Sequence, residues 1–240
     1  MDPRTTTALL YLNGVSVSFD GFRALNNLSF TIEPGEMRAI IGPNGAGKTR
    51  PDTGDVYFDG AYDLSRLDET EIALLGIGRK FQKPTVFDMH TVEDNIGLAL
   101  KGDRRARKTL FWRETDEEAR RIERILEVIR LSPVRRRVAG SLAHGQKQWL
   151  EIGMLLAQEP KLLLVDEPVA GMTDAETRQT AELLKEINRD RTVVVVEHDM
   201  AFVRELGVKV TCLHEGTAIA EGTIDQVSSN ERVIEVYLGR

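Results

Sequence analysis

A glycine-rich segment before Arg50 constrains this chain more than any other stretch. It is Gly42-Pro43-Asn44-Gly45-Ala46-Gly47-Lys48-Thr49, which fits the pattern G-x-x-x-x-G-K-[S/T]. Its glycines let successive backbone N–H groups turn toward one anion, because no Cβ stands in the way. Lys48 is expected to contact the terminal phosphates of a nucleotide, and the Thr49 hydroxyl to hold Mg²⁺. The pattern therefore predicts a phosphate-binding P-loop.

The chain on either side of this loop differs in how well it fits the prediction. The apolar run Met37–Ile41 predicts the buried parallel strand that a P-loop follows. After Thr49, however, a helix should begin, since its N-terminus favours phosphate and such helices average roughly 10–14 residues. Pro51 and Gly54 leave no room for it. The chain either lacks this helix or contains residues there that the printed sequence omits; we expect the second. A truly absent helix would make a nucleotide-dead scaffold the alternative function.

Alternating and apolar runs along the chain predict an α/β fold. Val15–Phe19 and Leu28–Ile32 alternate as half-buried strands do, which indicates an antiparallel β part. Leu162–Val165 and Thr192–Val196 are uniformly apolar, as buried parallel strands are. Together with helices at Leu64–Leu75, 122–129, 149–156, Asp174–Asn188 and 230–238, these runs predict a mainly parallel sheet flanked by helices.

Polar groups follow three of the predicted parallel strands. The P-loop comes after Ile41, Asp166 and Glu167 come after Val165, and His198 comes two residues after Val196. Ligands of open α/β sheets bind beyond the carboxyl ends of the strands, so we expect these groups to converge. Asp166 suits the Mg²⁺ ion on the phosphates, and Glu167 can orient or deprotonate an attacking water.

Composition excludes some partners. The net charge of −6 argues against a nucleic-acid binder, although Lys101–Arg137 has thirteen Lys and Arg against seven Asp and Glu. That segment could meet nucleic acid or anionic lipid, but a solvated helical sub-domain is the better interpretation. Cys212 is the sole cysteine and lies in an apolar run, so we expect it to be buried in a chain that suits a reducing cytoplasm.

The motifs together resemble the ATP-binding subunits of ABC transporters, and the resemblance covers nearly the whole chain in family order. It implies a P-loop ATPase fold with an inserted helical sub-domain, ATP and Mg²⁺ as ligands, and two such chains enclosing two ATPs. The positions that carry it are Phe19 as the adenine-stacking aromatic, Gly42–Thr49 as Walker A, Gln82 as the Q-loop residue that touches Mg²⁺, Ala143, His144, Gly145 and Gln146 in the signature, Asp166 and Glu167 in Walker B, 170–173 as the D-loop, and His198 as the switch histidine.

Finer likeness points to importers. The stretches 145–154, 169–174, 196–200 and 236–239 look like those of branched-chain amino-acid importers and, more closely, urea importers. The resemblance implies integral membrane permease partners, a second ATP-binding subunit, and a peripheral place on the cytoplasmic face of the inner membrane, without nucleic acid. Two positions depart from the family: Ala143 replaces the usual Ser, and Thr173 replaces the usual Asp.

The expected domain organisation follows the same resemblance. Residues 1–83 and 157–215 form the nucleotide-binding core, 84–156 the helical sub-domain with the signature, and 216–240 a C-terminal hairpin and helix. A soluble ABC ATPase acting on DNA or ribosomes is a second interpretation, but those usually carry two cassettes or a long coiled-coil insertion. A P-loop kinase or GTPase is a third, against which the Gln-loop, the signature and the Asp-Glu pair argue.

Overall fold

A computed structural model describes residues 7–19, 22–42, 51–80, 85–101 and 115–238. Within these ranges the chain forms two β-sheets and a set of helices. The strands are β1 (Leu10–Phe19), β2 (Phe22–Ile32), β3 (Met37–Ile41), β4 (Thr53–Phe58), β5 (Tyr62–Asp63), β6 (Ile77–Lys80), β7 (Leu162–Asp166), β8 (Thr192–Glu197), β9 (Lys209–His214) and β10 (Thr217–Gly222). The α-helices are α1 (Glu69–Leu74), α2 (Val92–Ala99), α3 (Asp116–Val128), α4 (His144–Leu156), α5 (Asp174–Asn188), α6 (Met200–Leu206), α7 (Ile224–Ser228) and α8 (Glu231–Leu238). Short 3₁₀ turns lie at Leu64–Arg66, Ser132–Val134 and Ala139–Ser141.

The larger sheet has the strand order β10-β9-β3-β8-β7-β6. Its strands β9, β3, β8, β7 and β6 pair in parallel, and β10 joins the edge as an antiparallel hairpin with β9. The smaller sheet is antiparallel, in the order β2-β1-β4-β5. The predicted α/β fold is confirmed.

Apolar side chains on both faces of the larger sheet explain why it is buried. One face packs against α5 and the helical region through such residues as Leu163, Val193 and Leu184. The other face packs toward the antiparallel sheet through Val194 and Phe58. Strands covered on both sides need apolar residues at consecutive positions, which is what β7 and β8 have. Cys212 is buried in the core, as expected.

The helical region between β6 and β7 has its own close packing. Ile96 of α2, Ile125 of α3 and Ile129 converge on the backbone of Gly153 in α4. Several basic side chains of this region pair with acids. Arg135, for example, bonds Glu93 and Glu123. These pairs favour the interpretation as a solvated sub-domain.

The predicted helix over Leu64–Leu75 is wrong as a single element. Asp63 caps a short 3₁₀ turn, and Asp68 then begins α1 with a capping box shared with Glu71. Two caps five residues apart divide the segment, because each satisfies the N–H groups of a new helix start. The sequence-based prediction also missed α2, α6 and α7.

Across the part of the chain that the structure describes, no helix combines the length and apolarity that a bilayer span requires.

Candidate active site

Three neighbouring strands of the larger sheet deliver polar residues to one edge. β8 lies between β3 and β7, with Ile41 opposite Glu197 and Val196 opposite Asp166 in parallel register. Gly42, the first residue of the glycine-rich loop, therefore leaves the sheet beside the segment that carries His198. The structure brings Asp166, Glu167 and His198 together at this edge.

Glu167 has an unusual backbone and a buried side chain. Its φ of +43° lies in the left-handed region, which costs energy for a residue with a Cβ. Its N–H donates to the Val196 carbonyl at 2.9 Å, so the turn is held to the end of β8. Carboxylate atom Oε1 is buried and accepts no hydrogen bond from the described residues. A buried oxygen of this kind is available to accept a hydrogen bond from a ligand or a water.

His198 faces this carboxylate from the next strand. Its Nδ1 lies 3.4 Å from Glu167 Oε1, while the ring itself is largely exposed. The imidazole therefore has one edge at the acid and the rest open to an incoming molecule. This arrangement can place a proton or a donor beside whatever the carboxylate contacts.

Asp166 lies one residue earlier on β7 and is half-buried. Its Oδ2 is 3.4 Å from Nη2 of Arg79 on β6. The described residues contain no group of three His, Cys, Asp or Glu side chains that could hold a metal ion alone. One accessible carboxylate still fits Mg²⁺, which usually takes one or two protein carboxylates and completes its shell with phosphate and water oxygens.

The helix α4 begins at the residues predicted to form the signature. Ala143 precedes it and cannot cap with its side chain, but its N–H donates to Gln146 Oε1 at 3.2 Å. His144 Nε2 lies 3.1 Å from the Ala170 carbonyl. A Cβ on Gly145 would lie 2.6 Å from Glu176 Oε1, so any other residue there would have to displace the Glu176 side chain. The backbone N–H groups at this helix start form an anion-binding end.

Thr173, the second departure from the family pattern, begins α5. Its hydroxyl and N–H both donate to Glu176 Oε2, and its Oγ1 accepts from Glu176 N, which completes a capping box. These donors lower the pKa of Glu176. Thr173 therefore acts as the N-cap of α5, at the end of the predicted D-loop.

A buried ion pair connects β6 to α4 beside the site. Lys80 Nζ lies 3.9 Å from Glu151 Oε2, and Glu151 Oε1 accepts from the Thr85 hydroxyl at 2.9 Å. Burial lowers the pKa of Lys80 and raises the pKa of Glu151, because both charged forms lose water. The pair joins the chain before and after the predicted Q-loop to the helix that carries the signature.

Several predicted site residues lie outside the described ranges. They are Asn44, Gly45, Ala46, Gly47, Lys48, Thr49 and Gln82. For Phe19 the structure describes the backbone, which ends β1 opposite Phe22. Their assignments stay predictions.

Sequence reasoning gave no role to Arg79, Lys80 or Glu197, all of which lie beside the predicted acids. The available signal was a charged residue at the end of an apolar strand, where a buried charge needs a partner. Spacing alone could not name that partner, because the partners come from distant elements.

Two protein-family models match this chain. The family model described as "ABC transporter" matches residues 25–170, and a second, "Branched-chain amino acid ATP-binding cassette transporter", matches residues 219–240.

Named relatives align along nearly all of the chain. The high-affinity branched-chain amino acid transport ATP-binding protein LivG of Escherichia coli K12 is 33% identical over 250 residues, which cover 96% of this chain and 98% of LivG. BraF of Pseudomonas aeruginosa PAO1, with the same description, is 31% identical with 96% and 98% coverage. Since 96% of 240 residues is about 230, roughly 20 of the 250 positions aligned with LivG have no residue in this chain.

Two solved structures resemble this chain in fold and, to a lesser degree, in sequence. A nucleotide-free ATP-binding cassette from an ABC transporter matches with a TM-score of 0.82 and 28% identity, over 97% of this chain and 100% of the other. A dimeric post-hydrolysis cassette bound to ADP and phosphate matches with a TM-score of 0.74 and 26% identity, over 90% and 98%.

Proposed function

Because the chain belongs to the ABC transporter family of ATP-binding proteins, we propose that it binds and hydrolyses ATP to power an importer of branched-chain amino acids. The observation that carries the catalytic part is the buried Glu167 carboxylate, whose unbonded Oε1 faces His198 at 3.4 Å at the carboxyl edge of the sheet. The solute class is supported by the names of LivG and BraF and by the family model over residues 219–240. Urea, which the sequence also suggests, stays a prediction.

Glu167 is the group that acts on water. Its free oxygen can accept a proton from a water held against the terminal phosphate. Glu167 lies in a left-handed turn at the end of β7, and the Glu167–Val196 backbone hydrogen bond fixes that turn. His198 stabilises the phosphate side of the same space, because a ring nitrogen can donate to a phosphate oxygen.

The phosphates and the metal are assigned to other groups. Asp166, Thr49 and Gln82 would hold Mg²⁺, which when bound neutralises phosphate charge and orients the phosphoryl group. The N–H groups of Asn44, Gly45, Ala46 and Gly47, with Lys48, would cradle the phosphates, and Phe19 would stack on the adenine.

A second chain would complete each site. The start of α4, at Ala143, His144, Gly145 and Gln146, offers backbone donors to a phosphate held by a partner's P-loop. The missing hydroxyl at Ala143 leaves the N–H groups as the main donors. A net charge of −6 gives two copies no electrostatic attraction for each other, so we expect them to be mostly monomeric without nucleotide.

The permease would dock beside the predicted Q-loop. Phe87, Met89 and Leu98 are large apolar side chains exposed on this part of the helical sub-domain. Exposed apolar groups of this size favour a partner surface. A short permease helix seated there would place the subunit peripherally on the cytoplasmic face of the inner membrane.

Replacement of Glu167 by Gln tests the proposal directly. Glu167→Gln should keep ATP affinity within about threefold and lower turnover at least a hundredfold, since it removes the base but leaves the phosphate and metal ligands. Phosphate release and nucleotide-binding titration on the full chain measure the two effects.

The matched control is Glu205→Gln, the same substitution at an exposed position of α6. It should leave both quantities unchanged. Turnover of Glu167→Gln near the wild-type rate would eliminate Glu167 as the catalytic carboxylate.

A further inference from the structure

Glu197 is a buried carboxylate directly behind the proposed site. It ends β8 with 3% of its surface exposed, opposite Ile41, the last residue of β3. Burial raises its pKa, although three backbone hydrogen bonds oppose that effect. A carboxylate in such a place is costly unless its oxygens are bonded.

Both oxygens of Glu197 are engaged by backbone N–H groups of two separate loops. Oε2 accepts from His198 N at 3.0 Å and from Asp199 N at 3.3 Å. Oε1 lies 3.5 Å from Val169 N, two residues after Glu167. One side chain therefore bonds the loop that carries His198 to the loop that follows Glu167.

Asp199 also holds the backbone of the His198 loop in place. Asp199 caps α6 by accepting from Ala201 N at 2.8 Å and Phe202 N at 3.0 Å, so the His198 loop is held on its far side as well. The His198 ring is largely exposed, with Nδ1 3.4 Å from Glu167 Oε1 and 3.8 Å from Glu197 Oε2. Its backbone is the part that the structure holds in place.

We propose that Glu197 is a positioning residue, which clamps the His198 loop against the Glu167 loop and so sets the approach of the imidazole to Glu167 and to the terminal phosphate. This rests on the proposed function, in which His198 and Glu167 act on ATP. Glu197 itself does not touch the reacting atoms, because its two oxygens are taken up by the three N–H groups.

The variants Glu197→Gln and Glu197→Ala distinguish the bonds to the His198 loop from the bond to Val169. In Glu197→Gln the amide oxygen can still accept from His198 N and Asp199 N, but the NH₂ group faces Val169 N, and two donors do not bond. In Glu197→Ala all three N–H groups lose their acceptor. Glutamine should therefore rescue most of what alanine loses.

A double-mutant cycle with His198 tests the inference. For the full chain at saturating MgATP, we expect Glu197→Ala to lower kcat about tenfold with ATP affinity within twofold, and Glu197→Gln to lower it less than threefold. His198→Ala should lower kcat further than either. Because Glu197 acts through His198, the double variant Glu197→Ala/His198→Ala should be no slower than His198→Ala alone.

The outcomes separate this inference from the proposed function. Losses that multiply in the double variant, or wild-type turnover in Glu197→Ala while His198→Ala is slow, would overturn the positioning role alone. Wild-type turnover in His198→Ala would overturn both the role of that histidine and the clamp. Val227→Ala, a cavity variant buried on α7, controls for general loosening of the fold and should keep kcat and the His198 effect unchanged.

Discussion

At the scale of single residues, local hydrogen bonds hold two positions that the proposed function uses. The Glu167 N–H donates to the Val196 carbonyl of another strand, in a left-handed turn, and its carboxylate Oε1 accepts no hydrogen bond from the described residues. Thr173 is held by a helix cap. The family resemblance marks it as a departure from Asp, whereas the structure gives it a capping role that either residue type can perform.

The Thr173 cap predicts a pH-dependent contribution to stability. Hydrogen bonds from Thr173 hold the pKa of Glu176 below its usual 4.5, so this stabilisation is present above that value and is lost as pH falls through the lowered pKa. Thr173→Ala should cost about 1 kcal/mol of unfolding free energy at pH 7, and the difference from wild type should shrink toward pH 4 and below. Urea unfolding across this range measures it.

Thr223→Ala is the matched control. Thr223 makes the same capping box at α7, but with Gln226, which does not titrate. Its loss should be constant over the same range. A Thr173→Ala difference that stays constant with pH would show that the charge of Glu176 adds nothing to the cap.

At the scale of elements, two predictions agree with the structure in both bounds. They are the helix over Asp174–Asn188, which is α5, and the apolar strand over Met37–Ile41, which is β3. The divided segment at Leu64–Leu75 failed because two acids five residues apart each cap a turn, which a hydrophobic period does not record. Local pattern also could not predict that β3, β8 and β7 are neighbours, since these pairings join residues far apart in the chain.

Substitution of glycine by alanine should have opposite effects on stability at two helical positions of the helical sub-domain. A Cβ on Gly153 of α4 would lie 2.6 Å from Ile129 Cδ1 and 2.8 Å from Ile96 Cδ1, whereas one on Gly97 of α2 would meet Ile122 Cδ1 at an ordinary 3.7 Å. Gly153→Ala should destabilise the protein by about 1–3 kcal/mol through overpacking. Gly97→Ala should stabilise it by about 0.5–1 kcal/mol through helix propensity. Thermal unfolding of both variants measures these changes in stability. Changes of equal size and sign in the two variants would contradict the packing argument.

At the scale of the whole molecule, the predictions of family, fold class and ATPase type are confirmed. The family motifs run along the chain in order, so they identified it even where single positions depart. The length difference remains the main departure, because LivG has about 20 residues more over the aligned region, which is about the size of one helix with its connections. We infer that these residues belong after Thr49.

Val196 offers a test of that inference. It lies on β8, near the centre of the larger sheet, yet is 36% exposed, whereas Val194 on the same face is 3% exposed. In the chain as printed, Val196→Thr should change the unfolding free energy by less than about 0.5 kcal/mol, while Val194→Thr should cost about 1–3 kcal/mol for its buried hydroxyl.

Insertion of the LivG residues that lack a counterpart, placed after Thr49, completes the comparison. If that segment covers the sheet, Val196→Thr should cost as much as Val194→Thr in the lengthened chain. A Val196→Thr effect that the insertion leaves unchanged would place the missing residues elsewhere.

The strand order also determines when the molecule can form during its synthesis. β3, which leads into the glycine-rich loop, pairs with β8 and β9, and Thr192 is about 150 residues after Ile41. At roughly 5–20 residues per second, a ribosome needs roughly 8–30 s to make that interval. Until then the newborn β3 has both edges unpaired, which is the condition in which apolar strands aggregate. The nascent chain therefore passes through its most vulnerable period after its phosphate-binding sequence has emerged and before any partner strand exists to receive it.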